Sequence, residues 1–239
     1  MPKKFQVDTG GTLTTDLKAY YKMENANDFY VNAYNLTETG SPVYQTAVIT
    51  NGLQLGSSNT TKYNSVANDM GITSGSCSMV GWVKFGTIDG NRQVFAMHGD
   101  SGTFVRYILR ATSTDFTLQR DKEGVGEQNA VYSATVSADT WYHVGGTYDT
   151  INARIYVTGT LRATTAASGN GSGGGFEGVV FGVQDAGANF FAKAILDEWG
   201  VWNKKLGTAE FVDLYNAGSG QTMVSVEEGG IIMASLAFR

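Results

Sequence analysis

The sequence predicts an all-β chain, a two-sheet sandwich or barrel with one short late helix. Three observations carry that prediction. About ten segments rich in Val, Ile, Tyr, Phe and Trp follow one another at short intervals, many alternating small or polar with bulky apolar residues. Glycine, at 31 of 239 residues, is about twice its usual share, which suits many turns that need positive φ. No βαβ rhythm interrupts the strand pattern. With 2 Pro and only 16% charged residues, disorder, coiled coil and collagen are poor fits.

The strands are read in order as LKAYYKM (17–23), VITNGLQL (48–55), SMVGWVKF (78–85), RQVFAMH (92–98) and TFVRYILR (103–110). They continue with TDFTLQR (114–120), TWYHVGGTYD (140–149), ARIYVT (153–158), GFEGVVFGV (175–183) and FFAKAILDEWGVW (190–202). One stretch reads as helix. Thr208 is placed as its N-cap, Phe211, Leu214 and Tyr215 fall at i, i+3 and i+4, and Gly218 sits at the C-cap position.

The chain is expected to divide into a polar arm (1–15), one domain (16–221) and an apolar tail (222–239). A length of 239 residues supports a sizeable core without disulfides, and a single β sandwich of this size is common. The tail's Ile231, Ile232, Met233, Leu236 and Phe238 need a surface to cover them, either the chain's own sheet or another subunit.

Charge and composition exclude several classes. The net charge of -5 leaves no basic footprint for nucleic acid, and no apolar run approaches a membrane span. The N-terminus lacks the apolar core of a secretory signal, so the three N-x-S/T matches at Asn35, Asn59 and Asn170 are read as chance. One Cys, Cys77, forms no internal disulfide and is read as a small core residue, and two His cannot build a zinc cluster.

Several stretches then coincide with one pattern. They are LKAYYKMEN (17–25), NLTETGSPVY (35–44), SMVGWVKF (78–85), WYHVGGTYD (141–149), RIYVTGTL (154–161) and AILDEWGVWNKKLGTAEFVDLYNAGSG (194–220). Over about residues 17–220 this resembles the laminin-G-like jelly rolls of the concanavalin A-like lectin/glucanase superfamily. The resemblance implies an antiparallel jelly-roll sandwich, one sheet concave, with binding loops along one rim. Such families carry Asn-Gly in the hairpin where this chain has Thr158-Gly159; Gly159 still supplies a positive φ.

The resemblance also implies a calcium ion near the strand carrying Asp197 and Glu198. By strand parity Asp197 shares a face with Ile195, Trp199 and Val201, and Glu198 with Leu196 and Trp202. A carboxylate inside so apolar a strand must meet a cation, an Arg or backbone N–H groups. Glu24, Asp28 and Asp197, with backbone carbonyls, form the expected structural calcium set; backbone hydrogen bonds to Asp197 and solvated loop acids are the alternative.

Catalysis is not expected. Retaining glucanases need two carboxylates about 5 Å apart on one face, and no E-x-D-x-E run is present. Glu123 and Glu127 have no reason to converge, and His143, between Tyr142 and Val144 in mid-strand, reads as a packed structural histidine. The G-x-G-x-x-G match at Gly169, Gly171 and Gly174 lacks a following helix and reads as a loop. Tyr30, Tyr34, Tyr44 and Tyr63 are the aromatics placed in loops where a sugar ring would find a face to stack on.

The expected function is a noncatalytic structural or adhesive bacteriophage virion component: a capsid decoration, tail or fibre protein made in the host cytoplasm. Its partners would be other virion proteins, further copies of itself through the terminal arms, and surface glycans. A soluble carbohydrate-binding lectin module is the alternative, and a glycoside hydrolase comes last.

Overall fold

A computed structural model of the chain describes residues 12–39, 43–56, 62–65, 70, 72, 76–90, 92–99, 105–122, 126–167, 176–182 and 192–221. The expected tail, residues 222–239, and the glycines at 169, 171 and 174 lie outside the described residues. Strands β1 to β8 are Leu17–Tyr21, Leu36–Thr39, Val43–Thr46, Asn51–Gln54, Lys62–Ser65, Ser76–Phe85, Arg92–Gly99 and Val105–Ala111. Strands β9 to β15 are Asp115–Lys122, Gly126–Ser133, Trp141–Asp149, Asn152–Val157, Thr160–Ala166, Phe176–Phe181 and Ala194–Trp202. Helix α1 spans Thr208–Tyr215.

These strands form the two antiparallel sheets that were expected. The first runs β13-β12-β11-β6-β15-β4-β3, and β1 also pairs with β15. The second runs β10-β9-β8-β7-β14-β5-β2. Between them lies an aromatic core. Trp199 of the first sheet stacks on Phe95 of the second (5.7 Å between centroids, 6° between planes), and Phe181 meets both edge-on. Offset-stacked and edge-to-face contacts are the geometries that ring quadrupoles favour.

Strand β15 departs from simple alternation. Asp197 lies opposite Trp82 and Gly200 opposite Val80, so Glu198 and Trp199 together face Gly81. Glu198 takes φ +54, a bulge that adds one residue and flips the parity. The shared face expected for Asp197 and Trp199 is therefore corrected. Trp199 and Val201 join Leu196 in the core between the sheets. Asp197 instead stands in a row with Trp82 and His143 on the sheet's outer face.

That outer face has its own apolar cover. Phe211 of α1 stacks on Tyr156 with centroids 3.8 Å apart, and Val80, Trp202 and Leu206 complete the cluster. The helix begins one residue earlier than expected. Gly207, not Thr208, is the N-cap, and its N–H donates to Glu210 at 2.7 Å. The C-cap is Asn216 in the left-handed region rather than Gly218. Thr208 is helical already, and Glu210 supplies the reaching side chain that a hydroxyl cap would otherwise provide.

At the chain's start, Thr12 to Thr15 are held against the end of β15. The Trp202 indole N–H donates to the Leu13 carbonyl at 2.6 Å, the Lys204 ammonium donates to that of Thr12, and Leu13 is buried. Among the described residues no helix is long and apolar enough to cross a membrane.

Candidate functional site

Of the three carboxylates expected to hold calcium, two approach the same turn. The β3–β4 turn folds over the outer face of β15, and the Ile49 N–H donates to Asp197 Oδ2 at 2.9 Å. The neighbouring Thr50 hydroxyl meets Glu24 Oε1. Asp197 is fully buried there. A carboxylate of β15, one from the loop after β1 and a hydroxyl are thus gathered around residues 49 and 50.

Asp28 is engaged elsewhere. Its Oδ1 accepts the N–H groups of Tyr20 (3.1 Å) and Tyr30 (3.0 Å), and its own N–H donates to Asn35. Burial holds its pKa above the ordinary carboxylate range, with the Tyr30 amide working in the opposite direction. Among the described residues no three His, Cys, Asp or Glu side chains come together as metal ligands, so the three-acid set does not assemble. The donors that fit a hard cation are Glu24, Asp197 and Thr50 with nearby carbonyl oxygens. Asp28 instead closes its own loop, and residue type alone could not separate that role from ligation.

Of the remaining candidates, His143 and Cys77 are buried, and Tyr30 and Tyr44 are tied by hydrogen bonds. His143 is buried, with Trp82 5.0 Å and Tyr215 5.9 Å away between ring centroids, and burial brings its pKa down to about 3. Cys77 is buried and its thiol is pushed up to about 12 by desolvation, which removes the thiolate that reactivity needs. The Tyr30 hydroxyl donates to the Thr14 carbonyl and the Tyr44 hydroxyl to Glu38. Tyr34 is half-buried, and the side chain of Tyr63 lies outside the described residues. Glu127 is on β10, while Glu123 is not described.

A cleft of about 360 Å³ opens on the same outer face, beside Asp197. Five strands contribute one row there: Val43, Gln54, Ile195, Lys84 and Trp141 are successive cross-strand neighbours. The cleft is lined by Gln45, Gln54, Lys84, Asp139, Lys193 and Ile195, among others. Its walls are tied by backbone hydrogen bonds: Gly86 N–H to the Lys193 carbonyl (2.7 Å), Leu55 to Ala194 (2.8 Å) and Asp139 to Phe85 (2.7 Å). The Lys84 ammonium lies over the Trp141 ring at 5.6 Å, and Lys193 pairs with Asp89 at 3.1 Å. Sequence reasoning passed over this site. The row carries only two polar residues, Gln54 and Lys84, on strands far apart in sequence, and only the pairing brings them together.

The family described as the concanavalin A-like lectin/glucanase superfamily, in its laminin-G-like branch, matches residues 56–211. The chain belongs to this superfamily. Solved structures similar to the chain include the fourth domain of AbnA, an extracellular arabinanase of Geobacillus stearothermophilus, solved in complex with arabinotriose. That match has a TM-score of 0.66 and 16% identity, and covers 83% of this chain and 97% of the arabinanase domain. The binding domain of Paraclostridial Mosquitocidal Protein 1 matches with a TM-score of 0.70, 12% identity, and 87% and 53% coverage.

A structure of botulinum neurotoxin type C, whose cell entry depends on two ganglioside molecules, matches at 0.66 and 15%, with 87% and 53% coverage. The lectin/glucanase chain therefore spans about half of the toxin structures it resembles and nearly all of the arabinanase domain. A search of curated protein sequences returns no significant match.

Proposed function

We propose that the chain is a noncatalytic, lectin-like carbohydrate-binding module. The observation that carries this reading is the near end-to-end match to an arabinanase domain that holds arabinotriose, together with the burial of the neighbouring Asp197 and Glu198. Asp197 and Glu198 are adjacent and both buried, separated only by the bulge of β15, and neither offers an open carboxylate opposite another. The toxin binding domains favour the same class, although the chain corresponds to only about half of each.

Structural calcium belongs to the same proposal. Glu24 and Asp197 would hold it with the Thr50 hydroxyl and carbonyl oxygens of the turn, keeping that turn closed over β15. The virion role expected from the sequence adds partners that these relatives do not supply, so the binding-module reading is the better supported one. Self-association through the terminal segments is tested by light scattering of the full chain against residues 12–221, which keep Leu13 in place.

The test of the main reading is a glycan array of neutral and acidic saccharides, followed by calorimetric titration of any hit. Saturable binding with no release of reducing sugar from the bound glycan supports it. No binding across the array, or turnover of a bound glycan, overturns it.

A further inference from the structure

We infer that the outer-face cleft between β3, β4, β15 and β6 is the saccharide site, and that it takes a short neutral glycan. This rests on the lectin-like reading above and names the place and the ligand class. The volume of about 360 Å³ lies near the low end of the usual range for ligand clefts, which suits a ligand of few rings. The chemistry of the lining decides the class. Gln45 and Gln54 each present an amide that donates and accepts, and neither side chain is hydrogen-bonded among the described residues. Paired donors and acceptors of this kind match the vicinal hydroxyls of a sugar.

Charge argues against an anion. Two lysines face the cleft, Lys84 and Lys193, but Asp139 lines it too and Lys193 is already paired with Asp89. The formal charges of these four side chains cancel. A phosphate or uronate would gain nothing net from the site and would meet Asp139. A neutral polyol can use all of these groups as hydrogen-bonding partners. The floor is apolar: Ile195 lies between Gln54 and Lys84 in the cross-strand row, and Lys84 is held beside the Trp141 ring. Rigid walls fixed by backbone hydrogen bonds lower the ordering cost of binding.

The experiment uses the full chain. A glycan array first identifies a saccharide; that saccharide, arabinotriose, tri-galacturonate and inorganic phosphate are then titrated into wild type and the double variant Gln45→Ala/Gln54→Ala. The expected result is a neutral hit whose Kd rises at least about tenfold in the double variant, two sugar hydrogen bonds being lost, with the thermal melt unchanged. Amide chemical shifts of Gly56 and Gly86 move on titration of wild type, which gives a second readout independent of the variant.

A neutral hit that binds both proteins equally, with Gly56 and Gly86 unmoved, overturns the cleft while the lectin reading stands. Hits confined to acidic saccharides, or binding of phosphate alone, overturn the neutral class. An array with no hit overturns both readings.

Discussion

The indole of Trp199 occupies the space that a side chain at Gly81 would need: a Cβ built on Gly81 overlaps the ring. The bulge on β15 turns Trp199 inward opposite this glycine, and the ring then reaches Phe95 of the facing sheet. Gly81→Ala is expected to destabilise the fold by about 1–3 kcal/mol, the range for overpacking a filled core. Urea denaturation followed by tryptophan fluorescence measures it. A variant as stable as wild type would mean that the ring has room to move.

The β12–β13 hairpin contains a second local conflict, with the opposite remedy. Val157 pairs with Thr160, leaving Thr158 and Gly159 as a two-residue loop, both at positive φ (52 and 73). A turn of that type favours Asn-Gly, and a β-branched residue is strained in the left-handed region. Thr158→Asn is expected to stabilise by about 0.5–1 kcal/mol, the scale of other relieved backbone conflicts. The check is a paired denaturation midpoint; a lower midpoint would show that the Thr158 hydroxyl bond to the Val157 carbonyl contributes more than the strain costs.

These two sites also indicate what was legible from the sequence. Strands with one face in the core, such as SMVGWVKF and TWYHVGGTYD, announce themselves by alternation or by sustained apolar content. The strands missed are β2, β3, β5, β10 and β13, and four of these are sheet edges. Edge strands are short or polar for a reason, since a hydrophobic edge invites pairing with another chain. β13, TLRATTA, is mostly exposed and carries no apolar stripe. The bulge at Glu198 was invisible because nothing in a Glu side chain announces a left-handed backbone, and the parity of the whole strand end depended on it. The cleft was hidden for a related reason: its residues lie on separate strands whose order no local pattern reveals.

The helix docks through two aromatic residues, with Leu214 buried in the same cluster. Phe211 is fully buried and stacks on Tyr156 at 3.8 Å, while Tyr215, one turn on, covers Trp82 and His143. Phe211→Ala should cost about 3–5 kcal/mol, the usual range for emptying a buried aromatic site. Because Tyr215 follows the helix, the near-UV circular dichroism contributed by Trp82 is expected to weaken in the same variant. Loss of stability with an unchanged aromatic signal would place the damage away from the helix–sheet contact.

Calcium makes a prediction that separates ligation from simple packing. Wild type should melt higher with calcium than with chelator, since an ion bound only by the native state stabilises in proportion to its saturation. Asp197→Asn keeps the size of the side chain and an oxygen for the Ile49 N–H, yet it should abolish the calcium-dependent shift. Asp28→Asn should leave that shift in place, because Asp28 serves the Tyr20 and Tyr30 amides rather than the turn. Equal melts of wild type with calcium and chelator would remove the metal and leave Asp197 as an acceptor of backbone hydrogen bonds.

His143 provides a pH signature. Burial brings its folded pKa down to about 3 from an ordinary 6.5, so the native state keeps the ring neutral where the unfolded chain takes up a proton. The unfolded state then binds more protons below pH 6.5, and stability falls as the pH drops from 6.5 toward 3. One such group contributes a slope of at most about 1.4 kcal/mol per pH unit in that window. Above pH 6.5 the ring is neutral in both states and contributes no slope. Asp149 also loses stabilisation on acidification: its burial is outweighed by the Arg154 guanidinium, the Asn152 amide and Lys205, which hold its pKa below the usual carboxylate range. His143→Gln separates the two. The variant should show a flatter stability profile between pH 6 and 4.5 and then fall with wild type at lower pH. Parallel profiles throughout would assign the acid sensitivity to the carboxylates alone.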